Sequence, residues 1–493
     1  MNLTYFIFFL AIVIGTLTIT HWAAERSKTT HQFYVAAGSL TGYQNGLAIA
    51  GDYISAASFL GITGLVAFYG YDGFLYATGF LVSYVILLLL IAEPVQKLSI
   101  YSLGDVIAAR FPGKKIRFAV AMSGIIISVL YMIPQLVASG LLIRLLLDVD
   151  YAASVWIIGI LMTIYVVFGG MVATSWVQII KTVLLMAGSL LLVFILLSRL
   201  NWDFSNLIGQ VIKESERGEQ FFYAGNLFQH PIERLSLLLS LILGTSGLPH
   251  ILIRFLTVKN AVEVRTSVLS ATWIIGFFYI ITLVLGLGTI TLVGWDKLMV
   301  MDETGNLAAL LLADVLGGDF LVAFVMAVAF ATIIAVVTGL VFTTTSLFAH
   351  DIYFHILKNK KSSEKEQLRI ARITAVVMGF LSIALSLGME DINVAFLVSL
   401  TFSVASSTIF PLLFLTFYWK RFTHMGAYFG LFTGFFGSFL LVTIGPEGFH
   451  IFPLYNPGIV TIPCTFISAI IGSLLSRMKQ SKKNEDYIVR IHL

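Results

Sequence analysis

The stretch GDYISAASFLGITG, Gly51 to Gly64, sets one carboxylate, three glycines, two serines and a threonine inside an otherwise apolar run. Asp52 is a charge carrier, Tyr53, Ser55 and Ser58 are hydroxyl ligands, and the glycines weaken any helix that passes through them. A helix that unwinds in an apolar setting frees carbonyls that coordinate a cation and amides that receive an anion. A second stretch, LGTSGLPHILIRF from Leu243 to Phe255, repeats the device. Gly244, Gly247 and Pro249 form a hinge there, because proline lacks a backbone donor and disfavours helix at the residue before it. Thr245 and Ser246 place two small hydroxyls beside the freed amides, a corner suited to a carboxylate, with Leu248 as apolar wall. Gln135 follows Pro134 in YMIPQLVASG, where its amide needs partners, and Tyr131 stands one turn earlier. His250, next to Pro249, either handles a proton or pins the break by hydrogen bonds.

The elements that must hold these residues are membrane helices. Of 493 residues, 58% are apolar and 11% charged, and a soluble chain of this length has too little charged exterior to cover such a core. Apolar runs of about 20 residues, enough to cross a hydrocarbon layer of roughly 30 Å, recur throughout. Thirteen spans are expected, over about 3–21, 43–68, 74–96, 115–147, 152–171, 179–199, 235–257, 266–294, 307–350, 367–388, 392–417, 423–444 and 457–477. Backbone groups cannot stay unpaired in lipid, and no alternating barrel pattern occurs, so all are helices. Asp52 falls about nine residues, or roughly 13 Å, inside its span. A charge at that depth costs about 2.5–3.5 kcal/mol unless it is paired, wetted or neutralised.

With the N-terminus outside and the C-terminus in the cytoplasm, every Lys and Arg except Arg144, Arg199, Lys213, Arg217, Arg234 and Lys297 falls inside, as the positive-inside rule requires. That count includes Lys181 and Arg254. The first span is read as a retained helix and not as a signal peptide. Cys464 is the single cysteine, so the chain has no internal disulfide. The net charge of +4 fits loops beside anionic lipid, and nothing points to nucleic acid or to an obligate protein partner. No zinc-protease helix, phosphate loop or Ser/His/Asp order is present, so an enzyme is not expected and no cofactor is called for. Spans two to six and spans seven to eleven each begin with an interrupted helix. Five being odd, they start from opposite faces, as in an inverted repeat whose broken helices meet at the midplane. The chain then divides into 1–42 (first helix and loop), 43–200 (first repeat), 201–234 (external loop), 235–417 (second repeat), 418–478 (peripheral spans) and 479–493 (cytoplasmic tail). Gly169–Gly170 is read as the end of the fifth span.

These residues resemble the sodium:solute symporter family along nearly the whole chain, and its acetate permease branch in NGLAIAGDYISAASFLGITGLVAFYGYDG, IAEPVQKL, YVVFGGMVATSWVQIIK, LGTSGLPHILIRFLTV and AVAFATIIAVV with SLFAHDIY. The resemblance implies a leucine-transporter-like core of five plus five helices, with solute between the breaks. It implies a cation-coupled symporter for a short monocarboxylate such as acetate, propionate or pyruvate. It also implies that the backbone carbonyls of Gly51 and Ile54 face a sodium ion held against the ninth span. There the sequence departs from the pattern. Counting back from Asp351-Ile352-Tyr353, Ala335 and Val336 stand where sodium-coupled relatives carry two hydroxyls, and neither offers oxygen to a hard cation. Thr332 is one turn earlier. Two couplings therefore stay open: sodium, held with Thr332 and Asp52, or a proton. Expected solute contacts are Tyr53, Ser55, Ser58, Tyr131, Gln135, Thr245 and Ser246. Competing readings are a symporter for proline or another small solute, and a membrane sensor that binds without transport.

Overall fold

The computed structural model describes residues 3–24, 35–98, 101–168, 171–446 and 449–476. The Gly169–Gly170 pair and the tail at 479–493 lie outside the described residues. Every regular element among the described residues is a helix. Among the described residues nine helices are long and apolar enough to cross a membrane, and two bent pairs pass the same test together, Gly42–Tyr53 with Ala57–Tyr69 and Pro231–Gly247 with Pro249–Thr257. Leu3–Ile19 and Tyr151–Ile164 are shorter apolar stretches.

Both interruptions are breaks with a local cause. Gly42–Tyr53 starts at a capping box in which Thr41 and Gln44 satisfy each other's backbone donors. It ends where Ile54 turns extended at φ −72°, ψ 90°, and the chain bends by 65°. In the second pair Leu248 is extended at φ −86°, ψ 112°, the geometry that a following proline imposes, and Pro249 opens the next half-helix. The bend there is 46°.

The most enclosed helices are Ala308–Leu357 and Val394–Tyr418. The first is not one straight rod across 307–350. Gly317 and Gly318 leave helical geometry, Gly318 at φ +60°, so the chain kinks there before entering the buried segment. Met171–Arg199 packs against Leu3–Ala24, Gly42–Tyr53 and Ala308–Ser346. It begins eight residues before the expected 179, which corrects the placement of Lys181. Lys181 sits ten residues, or about 15 Å, into this helix and is buried. Arg254 is buried in the Pro249–Thr257 half-helix. Neither is a charge on the inner surface.

One end of the bundle is closed by a charge cluster. Arg117 Nη1 donates to Asp105 Oδ1 at 2.9 Å and also to Asp351 Oδ1. Ser102 Oγ donates to Asp351 at 2.9 Å, and His350 Nε2 stands 3.3 Å from Asp105. Burial raises the Asp105 carboxyl, yet His350, Arg117 and the Tyr101 amide together hold it well below the usual carboxylate range. Arg117→Met removes the guanidinium that the two carboxylates share. It is expected to lower stability by about 1.5–3 kcal/mol, the loss of hydrogen bonds to a charged group, read as melting temperature in detergent.

The opposite end carries a vestibule of about 870 Å³ bounded by Leu65, Tyr76, Phe228 and Phe396, with the Arg144–Glu390 ion pair at its rim. Asp72 Oδ2 accepts the Gly225, Leu227 and Phe228 amides at 2.8–3.2 Å and so fixes the 201–230 connection over it.

Candidate functional site

The two breaks touch. Tyr53 Oη lies 3.0 Å from Thr245 Oγ1 and 3.2 Å from Ser83 Oγ, and Thr245 Oγ1 donates to Ser83 Oγ at 2.7 Å. Ser58 Oγ lies 3.3 Å from Tyr279 Oη and donates to the Tyr53 carbonyl at 3.4 Å. Of the seven expected solute contacts, Tyr53, Ser58 and Thr245 therefore spend their hydroxyls on the protein, tying the breaks to the Tyr71–Ile86 and Ala261–Leu292 helices.

The others behave differently. Gln135 Nε2, Ser246 Oγ and both ring nitrogens of His250 are buried without a hydrogen-bond partner among the described residues. Ser55 Oγ faces the Tyr131 hydroxyl without forming a well-directed bond. Gln135 Oε1 accepts the Ala56 amide, one of the donors that the first break releases, at 3.4 Å. The Tyr131 ring stacks on His250 with centroids 5.1 Å apart. Buried polar atoms are nearly always satisfied, and each one left bare costs about 1–3 kcal/mol. These bare atoms belong to the two breaks and to the Lys114–Leu147 helix that meets the first of them. The rings of Tyr53, Phe80, Tyr84 and Phe402 pack on one another with centroids 4.7–6.1 Å apart, and Phe402 also meets the Tyr131 ring.

Beside the first break stands a charge centre that the sequence reading missed in part. Asp52 accepts from Arg254 Nε on one oxygen and from Gln178 Nε2 on the other. Arg254 Nη1 also donates to Ser175 Oγ at 2.6 Å, and Asn45 Nδ2 holds the Arg254 carbonyl at 3.0 Å. Lys181 Nζ donates to the Gly51 carbonyl and, at 3.4 Å, to that of Thr332. Asp52, Lys181 and Arg254 are each at most 2% exposed. The centre therefore holds two basic side chains and one carboxylate. Its signal in the sequence is a helical stripe, Thr174, Ser175, Gln178, Lys181 and Thr182, all buried on one face of Met171–Arg199.

The sodium site that the resemblance implies does not fit these residues. Gly51 and Thr332 give their carbonyls to Lys181, and the Ala335 carbonyl accepts Gln178 Nε2 at 2.8 Å. The Thr332 hydroxyl proton goes back to the Val328 carbonyl at 2.8 Å, while Asp52 is claimed by Arg254 and Gln178. The Ala335 and Val336 side chains carry no oxygen. A sodium ion about 4 Å from the ammonium is repelled by about 4 kcal/mol at an effective dielectric of about 20.

The family model of the sodium:solute symporter family matches residues 33–434. The chain belongs to that family. It is 54% identical over 490 residues, 97% of this chain and 96% of the other, to a protein of Bacillus subtilis (strain 168) described as an uncharacterized symporter, YwcA. Among solved structures it is similar to a Na+-coupled sialic acid symporter in a substrate-bound outward-open state, with TM-score 0.79, 16% identity and coverage of 97% of this chain and 100% of that one. It is also similar to Mhp1, a nucleobase-cation-symport-1 family transporter in a closed conformation with bromovinylhydantoin bound, with TM-score 0.51, 12% identity and coverage of 93% and 99%. These two likenesses establish the fold. The symporter is a multi-pass membrane protein that moves a small solute with a cation, and it is a transporter, not an enzyme.

Proposed function

We propose that this symporter takes up a short-chain monocarboxylate such as acetate, propionate or pyruvate. The observation that carries the reading is the excess of buried basic groups at the first break, Lys181 and Arg254 against one carboxylate, together with the unpartnered polar atoms of Gln135 and Ser246. A buried charge without a counter-charge is strongly unfavourable, and a solute anion supplies one. The unpartnered Ser246 hydroxyl, the small side chain of Thr245 and the apolar Leu248 suit a short acid, with the Ser246 hydroxyl toward the carboxylate and a wall toward its methyl group.

In this reading thirteen spans cross the membrane, with the N-terminus outside and the C-terminus in the cytoplasm. The segments 43–200 and 235–417 form the inverted five-helix repeats, with 418–478 peripheral. The vestibule faces outward and the Arg117 cluster closes the inner side. Solute enters between the breaks, the repeats rock, and the inner cluster parts. Purified protein in liposomes tests this: labelled acetate accumulates under an imposed cation gradient, and unlabelled propionate or pyruvate outcompetes it. Displacement by proline at equal concentration, or no accumulation under either a sodium or a proton gradient, rejects the monocarboxylate. His250→Phe keeps the stacking on Tyr131 and removes two unpartnered nitrogens. It is expected to leave the melting temperature within a few degrees of wild type and to raise the KM for acetate about ten- to hundredfold, the loss of a hydrogen bond to a charged solute.

A further inference from the structure

We infer that the Lys181 ammonium is the resident cation of the first break, standing where the family's sodium belongs, and that the ion travelling with the solute is a proton. The inference rests on the symport reading above and names its coupling ion. Lys181 reaches the carbonyls of Gly51 and Thr332, which belong to the first broken helix and to the buried helix Ala308–Ser346. Those are the two elements that the resemblance assigns to sodium. One turn before it on the same helix, Gln178 spans the same gap, from Asp52 to the Ala335 carbonyl. Met171–Arg199 thus uses two side chains to do what a free ion does: it draws carbonyl oxygens of both elements onto positive charge. The charged groups that act on the ammonium are Asp52, from Gly42–Tyr53, and Arg254, from Pro249–Thr257.

A tethered cation differs from a free one in a way that fixes the coupling. Lys181 is held by its own helix and cannot leave with the solute, so it cannot be the cargo ion. Its presence also denies sodium the oxygen ligands, since the Gly51, Thr332 and Ala335 carbonyls are engaged and the side chains at 335 and 336 are apolar. Of the two couplings the sequence leaves open, the proton remains. One proton and one carboxylate enter together from outside and leave together inside, so no net charge crosses.

Two measurements on the full chain decide the matter. The first is the melting temperature of purified protein in sodium chloride against choline chloride. Wild type is expected to melt alike in both, and Lys181→Ala, which frees the carbonyls, is expected to gain a sodium-dependent rise. The second is the initial rate of acetate uptake into sodium-free liposomes under a gradient of one pH unit, read above that of protein-free liposomes because acetic acid crosses lipid unaided, and saturable by unlabelled pyruvate; one proton per anion sustains about tenfold accumulation. Sodium stabilisation of wild type, or uptake that runs only on a sodium gradient, overturns the inference. The wild-type comparison decides it even if Lys181→Ala does not fold. If acetate accumulates under neither gradient, the monocarboxylate reading fails on its own and the melting comparison still reports on the cation.

Discussion

Arg254→Met is expected to cost about 3–5 kcal/mol of stability and to abolish accumulation of solute, because it takes from the buried Asp52 carboxylate the cation bonded directly to it and leaves Gln178 as its donor, with Lys181 bonded elsewhere. Arg254 holds Asp52 through Nε and Ser175 through Nη1, and its own carbonyl is fixed by Asn45 and Thr257. The guanidinium is therefore a joint between the second broken helix, the first, and Met171–Arg199. The cost belongs to the unpaired charge and not to the pair, so removing both partners has the opposite sign. Asp52→Leu with Arg254→Met is expected to recover most of the lost stability, since an apolar replacement of a buried pair is often neutral or favourable. Transport is not expected to return in the double variant. Arg254→Lys retains the charge but only a single donor point, and falls between the two. Melting temperatures of the three variants and their uptake in liposomes form the test. A wild-type melting temperature for Arg254→Met sinks the assignment. Asp52→Asn is expected to lose coupled uptake while inserting normally.

The breaks were legible because their cause is local. Leu248–Pro249 can hardly be helical, and the glycines around Asp52 announce a weak helix in a place where helix is otherwise obligatory. The charge centre was legible only at Asp52. Lys181 and Arg254 stand near span ends in the sequence, where basic residues usually set topology, and MVATSWVQ before Lys181 is polar enough to pass for a loop. Its polar residues instead lie on one buried helical face, a pattern that shows only once the helix is started at Met171. Which hydroxyls remain available was not legible at all. Tyr53 meets Thr245 across 192 residues of chain, and Thr332 satisfies itself on the preceding turn, a habit of threonine in apolar helices. Spacing names the hydroxyls near a break; only packing decides which of them are left for a ligand.

The position of the second break depends on how closely its backbone lies on Val394–Tyr418, and Gly247 is the residue that permits this. A Cβ at Gly247 overlaps the Ala405 carbonyl oxygen and comes within 2.9 Å of its carbon, while one at Gly244 lies 2.6 Å from the Phe402 oxygen. These are backbone atoms of a buried helix, with no flexible side chain to swing aside. Gly247→Val is expected to destabilise by about 3 kcal/mol through overpacking, and the milder Gly247→Ala by about 1–2 kcal/mol. Both push Thr245 and Ser246 away from Tyr53, so uptake should fall more steeply than stability, with KM rising as the hydroxyl corner opens. Gly209→Ala is the control. It lies in the exposed Phe204–Glu214 helix with nothing within 4 Å of the new methyl, and the exchange should add about 0.5–1 kcal/mol through helix propensity alone with uptake unchanged. If Gly247→Val melts and transports like wild type, the break does not bear on that helix, and the corner built from Thr245 and Ser246 is not held in register with the first break by backbone contact.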